Sequence, residues 1–301
     1  MNLKKRLANI KGDLSGAVSA AIISIPLSIG YGIIVYGPLG AEFLPVAALL
    51  GIYGCLLGGI CAALLGGTEI QITVPKAPLS LLLAAFVAPL ALSLQIPDVA
   101  SRNILIVGLA SLCVLIAGIV QFLFGALRLG NLIKYVPYPV VSGFMNGIAV
   151  ILILEQIGPL VGARGHVGLI EIFHNPTVVQ PLTLVVGLTT IIVIFFARRF
   201  IKAVPASLIG LVAGTAVYYI LKNIPGVSAM GPVVGNFSSQ CPKPEILPGA
   251  FRLLDQIDFA DLFPRILITG FVLGSIGALE SLLSSVAADN IAGTRHKSNK
   301  E

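Results

Sequence analysis

The chain has 301 residues, 56% of them hydrophobic and only 11% charged, and a formal net charge of +6; its mean hydropathy is +0.99. A water-soluble surface needs about a quarter of its residues charged, so this surface must face lipid. The basic residues stand singly or in small groups between apolar runs, with no aromatic-interleaved basic face, which argues against nucleic acid as a partner.

A helix needs about 20 apolar residues to cross the hydrocarbon. Eight segments qualify, near residues 14–36, 44–65, 76–94, 103–124, 137–160, 180–198, 204–221 and 265–289. The expected fold class is all-α integral membrane, about eight transmembrane helices. The first segment follows Lys4, Lys5, Arg6 and Lys11, as a signal peptide would. Its apolar run is too long for one, and more spans follow, so it reads as an uncleaved first helix.

The third segment is the most informative. Thr68 to Val74 is β-prone, Pro75-Lys76-Ala77-Pro78 follows, and then a helix-forming apolar run. Proline suits the first turn of a helix, where its missing N–H costs nothing. Extended backbone at membrane depth is tolerated only where it is buried in protein or lines a cavity. A half-helix starting there would aim its N-terminal amides and positive dipole end at an anion, and Lys76 would add a full charge. The bland alternative is a complete span preceded by a cytoplasmic loop, with Lys76 snorkelling to the surface.

Glu155 lies late in the fifth segment and reads as a structural acid near the interface; Glu69 and Asp289 lie near span ends. His166 and His174 fall in a loop, and His296 in the basic tail, where solvation explains them. Arg198 to Lys202 form a short basic turn between the sixth and seventh segments. The connection from about Lys222 to Pro264 is rich in Pro, Gly and acidic residues and reads as an irregular loop.

The eighth segment carries Gly270, Gly274, Gly277, Ser281, Ser284 and Ala288 at three- and four-residue steps. Such a stripe lets another backbone pack closely. Glu280 sits at its edge, with Ser284 one turn on. A carboxylate inside a span is costly and is a functional candidate by default. With the Ser284 hydroxyl, Glu280 can hold a sodium ion through oxygens or carry a proton; the structural alternative is a carboxylate bonded to a neighbouring helix.

Cys55, Cys61, Cys113 and Cys241 include no C-x-x-C pair, and three of them lie in apolar runs, so they read as small apolar filler. No H-E-x-x-H, G-x-S-x-G or phosphate-binding glycine loop is present, so no catalytic set is visible and an enzyme is not expected. With the N-terminus inside, the inside segments carry Lys4, Lys5, Arg6, Lys11, Arg128, Lys134, Arg198, Arg199, Lys202, Arg295, Lys297 and Lys300. The outside segments carry only Arg102, Arg164, Lys222, Lys243, Arg252 and Arg265. This bias predicts cytoplasmic termini and an even span count, in a plasma (inner) membrane.

Three stretches together resemble the SulP (sulfate permease) family of anion transporters. Gly277 to Asn299 is similar to the family's eighth helix and the loop after it, Pro139 to Val150 to its fifth helix, and Gly12 to Tyr31 to its first. The resemblance implies two inverted seven-span repeats, a core domain beside a gate domain, and usually a cytoplasmic STAS domain. It places anion binding between the half-helices of spans three and ten. Thr73, Val74, Pro75, Lys76 and Ala77 match the first half-helix, and Ser28 and Tyr31 match the side of span one that faces the site. Glu280 and Ser284 match the pair that contributes to the sodium site of cyanobacterial-type sodium–bicarbonate symporters. Lys76 departs from the small or neutral residue common in the family, and Leu27 from a common Gln.

On this reading the chain holds the first repeat plus the first helix of the second, with residues 1–125 and 265–301 in the core, 126–221 in the gate and 222–264 as an outside loop. Spans nine to fourteen and the STAS domain are missing. The expected function is secondary transport of a small inorganic anion, bicarbonate or sulfate, coupled to sodium or protons. An uncoupled anion channel and a non-transporting remnant or split-gene subunit are the rivals. Expected partners are the anion and the bilayer, with a second chain or a homodimer as further candidates, and no cofactor other than a sodium ion.

Overall fold

The computed structural model describes residues 10–66, 71–94, 96–131, 138–163, 179–201, 206–224 and 259–293, with a few isolated positions besides. Eight α-helices fill these segments: α1 Ile10–Tyr36, α2 Leu44–Leu65, α3 Ala77–Ser93, α4 Val99–Ala126, α5 Tyr138–Val161, α6 Pro181–Phe200, α7 Ala206–Lys222 and α8 Phe259–Ala292. Each overlaps one predicted segment, and the described residues contain no strand. Among the described residues, four stretches are long and apolar enough to cross a bilayer: Gly12–Leu39, Ala41–Leu65, Val99–Ala126 and Phe259–Asp289. Ala77–Ser93, Ala149–Val161, Pro181–Ala197 and Ala206–Lys222 are shorter apolar helices.

The sharpest difference from expectation is at α8. The loop was expected to run to Pro264, yet the helix already begins at Phe259 and takes Pro264 inside it. Asp261 in the first turn complements the helix dipole there. Pro264, near the start, leaves only the Ala260 carbonyl without its helical donor. The remainder of the 222–264 loop lies mostly outside the described residues, as do Glu69, His166, His296 and Cys241 and the side chain of Glu155.

The chain divides into two compact units, Met1–Pro26 with Ala149–Val233 and Leu27–Ile148 with Val234–Glu301. In the second unit, α8 packs most extensively on α4, and α3 packs on both. The small-residue stripe explains the closeness. A Cβ on Gly270 would stand 2.7 Å from Ile116 Cβ, and one on Gly274 would stand 2.8 Å from the Ala117 carbonyl oxygen. Around this seam Val87, Leu90, Leu105, Ile106, Leu109, Cys113, Ile266 and Leu273 form the apolar core. Gly32 of α1 and Gly51 of α2 meet backbone to backbone, with a Cβ on Gly32 falling 3.0 Å from Gly51 Cα.

In the first unit, α6 and α7 form a hairpin. Gly210 receives Ile194 and Gly214 receives Thr190. Large apolar side chains stay on the outside throughout, including Leu64, Leu92, Phe122 and Phe195. In water this would be a severe liability; in a bilayer it is the contact surface. The chain is an integral, multi-pass membrane protein.

Candidate functional site

The extended-to-helix junction expected at the third segment is present. Residues 71–76 form no regular element, and Lys76 caps α3 in an extended conformation, φ −118° and ψ 142°. Pro75 biases Val74 before it toward extended backbone, and Pro78 occupies the first turn of the helix. The first helical bond runs from the Ser80 amide to the Lys76 carbonyl, 3.0 Å. The amides of Ala77 and Leu79 therefore have no acceptor within the helix, and no side chain caps them.

Opposite this junction stands the middle of α8. Glu280 is 9% exposed. Its Oε2 is buried and has no hydrogen-bond partner among the described residues. Lys76 Nζ reaches the Ser284 hydroxyl at 3.5 Å, and both Lys76 and Tyr31 lie within electrostatic reach of Glu280. Tyr31 is half-buried on α1, and Ser28, one turn earlier, is fully buried near the α2 crossing. Lys76, Glu280, Ser284 and Tyr31 are thus brought together. Val74 and Pro75 are half-buried beside them in sequence, and Ala77 is buried, whereas Thr73 is exposed.

Two neighbouring positions show how the surroundings are packed. Leu27, where the family resemblance suggests Gln, is 42% exposed and turns away from the buried side of α1 that holds Ser28. Gly277 does not open space beside the carboxylate: a Cβ there would meet Gln121 Nε2 at 2.5 Å and Leu79 at 3.4 Å. Its smallness admits those two side chains.

Sequence reasoning missed Gln71 and Ser285. Ser285 Oγ lies 2.6 Å from Gln71 Oε1 and 2.9 Å from the Ser281 carbonyl. Ser285 is fully buried, so this bond ties the extended segment to α8 inside the protein. The available signal was weak: a lone amide in a β-prone stretch, and a serine just off the small-residue stripe.

A sodium ion held by Glu280 and Ser284 fits these residues poorly. The Lys76 ammonium already engages the Ser284 hydroxyl. Two unit charges about 4 Å apart repel by about 4 kcal/mol at an effective dielectric constant of about 20.

A set of apolar helices, one of which starts beside a buried carboxylate on another, defines a polytopic membrane protein. Residues 10–301 match the sulfate permease family, and the chain belongs to it. It is 32% identical to the bicarbonate transporter BicA of Picosynechococcus sp. over 99% of this chain and 49% of that protein. It is 31% identical to the putative sulfate transporter YvdB of Bacillus subtilis over 98% of this chain and 51% of that protein. The solved transmembrane domain of a cyanobacterium bicarbonate transporter BicA superposes with a TM-score of 0.72 at 31% identity, covering 98% of this chain and 69% of that one. The chain spans about half the length of these curated relatives.

Proposed function

We propose that the chain forms the amino-terminal part of a secondary transporter for a small inorganic anion, bicarbonate first and sulfate second, with Glu280 as the coupling group. The observation that carries this reading is the meeting of the α3 N-terminus with a nine-tenths-buried carboxylate on α8. The amides of Ala77 and Leu79, which have no acceptor within the helix, the dipole end of α3 and the Lys76 ammonium attract the anion. Ser28 and Tyr31 line the α1 side, with Thr73, Val74 and Pro75 shaping the entry.

An anion arriving there competes with Glu280 for the Lys76 ammonium. A buried carboxylate deprived of its cation takes up a proton, which couples anion entry to pH. Coupling through sodium would need the Glu280 and Ser284 oxygens free of Lys76. In the proposed division of labour, residues 1–125 and 265–301 belong to the core and 126–221 to the gate. This reading calls for an opposing half-helix, supplied by the same chain, a second chain or a second copy. Both termini lie in the cytoplasm of a plasma-membrane protein.

The test is uptake of labelled bicarbonate and labelled sulfate into liposomes, measured against pH and against sodium. It uses the protein together with any spans that follow residue 301. Saturable uptake of one anion that follows pH is expected. Poorly saturating current indifferent to both pH and sodium would favour an uncoupled channel. Cysteine labelling in a cysteine-free background should reach Ser298 from inside and Ser238 from outside; labelling of both from one side would sink the topology.

A further inference from the structure

We propose that the Lys76 ammonium is a built-in cation for the Glu280–Ser284 pair, standing where a dissolved sodium ion would otherwise bind, so that this site rejects sodium. The inference rests on the reading of Glu280 as the coupling group and narrows it to sodium-independent operation.

Three observations converge on it. The Glu280 side chain is nine-tenths buried, and its Oε2 has no hydrogen-bond partner among the described residues. An ionised carboxylate in that position needs a cation close by. The Lys76 ammonium supplies one, 3.5 Å from the Ser284 hydroxyl and within electrostatic reach of Glu280. The backbone that presents Lys76 is also held in place, by the Gln71–Ser285 bond on one side and by the first turn of α3 on the other.

Tethering favours the ammonium over a dissolved ion. A lysine ammonium is a compact point charge on a flexible stem, suited to replace a small cation. Because it is attached, its local concentration exceeds that of dissolved sodium, and no translational freedom is lost each time it engages. Sodium entering the same oxygens would meet the ammonium at a few ångströms, a repulsion that lowers its affinity about a thousandfold. A snorkelling lysine would instead carry its charge to the interface and leave Ser284 alone.

The experiment reads cation binding directly, without transport. The chain, purified in detergent, is melted in sodium chloride and in N-methyl-D-glucamine chloride at equal ionic strength. Wild type is expected to melt at the same temperature in both. Lys76→Ala should melt lower in N-methyl-D-glucamine and be raised by several degrees in sodium, because a ligand that binds only the folded state stabilises it. Adding Glu280→Gln to Lys76→Ala should erase the sodium response. Lys76→Gln, which keeps the bulk, stands in if Lys76→Ala does not fold.

Selective stabilisation of wild type by sodium would overturn the proposal, since the site would then hold sodium beside Lys76. So would a lysine variant indifferent to sodium, or a double variant that still responds. An inactive transporter with the expected melting pattern would instead count against the proposed transport and leave the cation assignment standing.

Discussion

Two helix pairs show how one packing device serves two purposes. The α4–α8 pair and the α6–α7 pair both close through glycines that admit a neighbour's atoms, Gly270 and Gly274 in one, Gly210 and Gly214 in the other. They differ in what the contact holds. In α6 and α7 the hydroxyls of Thr189, Thr190 and Thr215 each donate to the carbonyl four residues back in their own helix. The charged residues of these two helices, Arg198, Arg199 and Lys222, lie at helix ends. In α8 a carboxylate sits mid-helix, and the Ser284 and Ser285 hydroxyls reach Lys76 and Gln71, more than 200 residues away in sequence. Close packing by small residues is therefore a general solution to helix association in lipid. What sets α8 apart is polar groups that find their partners outside their own helix.

The comparison can be broken most decisively at Glu280. Glu280→Gln keeps the shape and removes the charge. If Glu280 couples uptake to pH as proposed, the variant, in the protein together with any further spans, should show uptake that no longer follows pH. Uptake indistinguishable from wild type across pH would make the carboxylate structural and reduce α8 to another packed helix.

Next in size are the glycine seams. Gly274→Leu must push a side chain against the Ala117 carbonyl and Val120. It should cost about 1–3 kcal/mol of stability and also disturb uptake, since α8 carries Glu280. Gly210→Leu should cost a similar amount, about 1–3 kcal/mol, without altering the pH dependence of uptake. Melting temperature and uptake measured on both variants separate seam from site. Equal loss of pH dependence in the two would erase the distinction drawn here.

A smaller effect is expected at the hydroxyls. Ser285→Ala removes the buried partner of Gln71 and should cost about 1 kcal/mol. Thr190→Val loses only a bond within its own helix and should stay nearly neutral in melting temperature. A neutral Ser285→Ala would show that the extended segment is held by other contacts.

The smallest effect lies at the start of α4. Asp98 accepts from the Ser101 hydroxyl and from the amides of Ser101 and Ala100. These bonds, that of the Ser101 hydroxyl first, hold its carboxyl below the usual value of 3.8. Its stabilising contribution is thus present above the unfolded value and is lost as pH falls through the lower, folded one. Asp98→Ala should melt slightly below wild type at neutral pH, and the gap should close as pH falls below 3.8. A gap that persists unchanged in acid would mean the charged cap is not its source.

Much of this was legible in the residues. Hydropathy marked the eight described helices, four of them long and apolar enough to cross a bilayer, because lipid demands an unbroken apolar run that local composition meets or fails by itself. Pro75 and Pro78 announced the extended-to-helix junction, since proline restricts its own backbone and that of its predecessor. The glycine stripe of α8 signalled close approach, and the mid-span carboxylate marked itself by its cost. The early start of α8 was hidden because Pro264 and the acidic stretch before it read as loop, although a proline in the second turn removes only the bond to the Ala260 carbonyl.

What the sequence by itself determined was the class of protein, the place of each helix and the short list of residues able to do chemistry. Those are properties of single segments and follow from local periodicity and hydropathy. Only the tertiary structure decided who meets whom. It placed Lys76 on Ser284 rather than in water, turned Leu27 outward, filled the space at Gly277 with Gln121 and Leu79, and bonded Gln71 to Ser285. Each of these depends on the rotation of one helix against another. That rotation is settled by packing summed over many side chains far apart along the chain, which no single stretch of sequence contains.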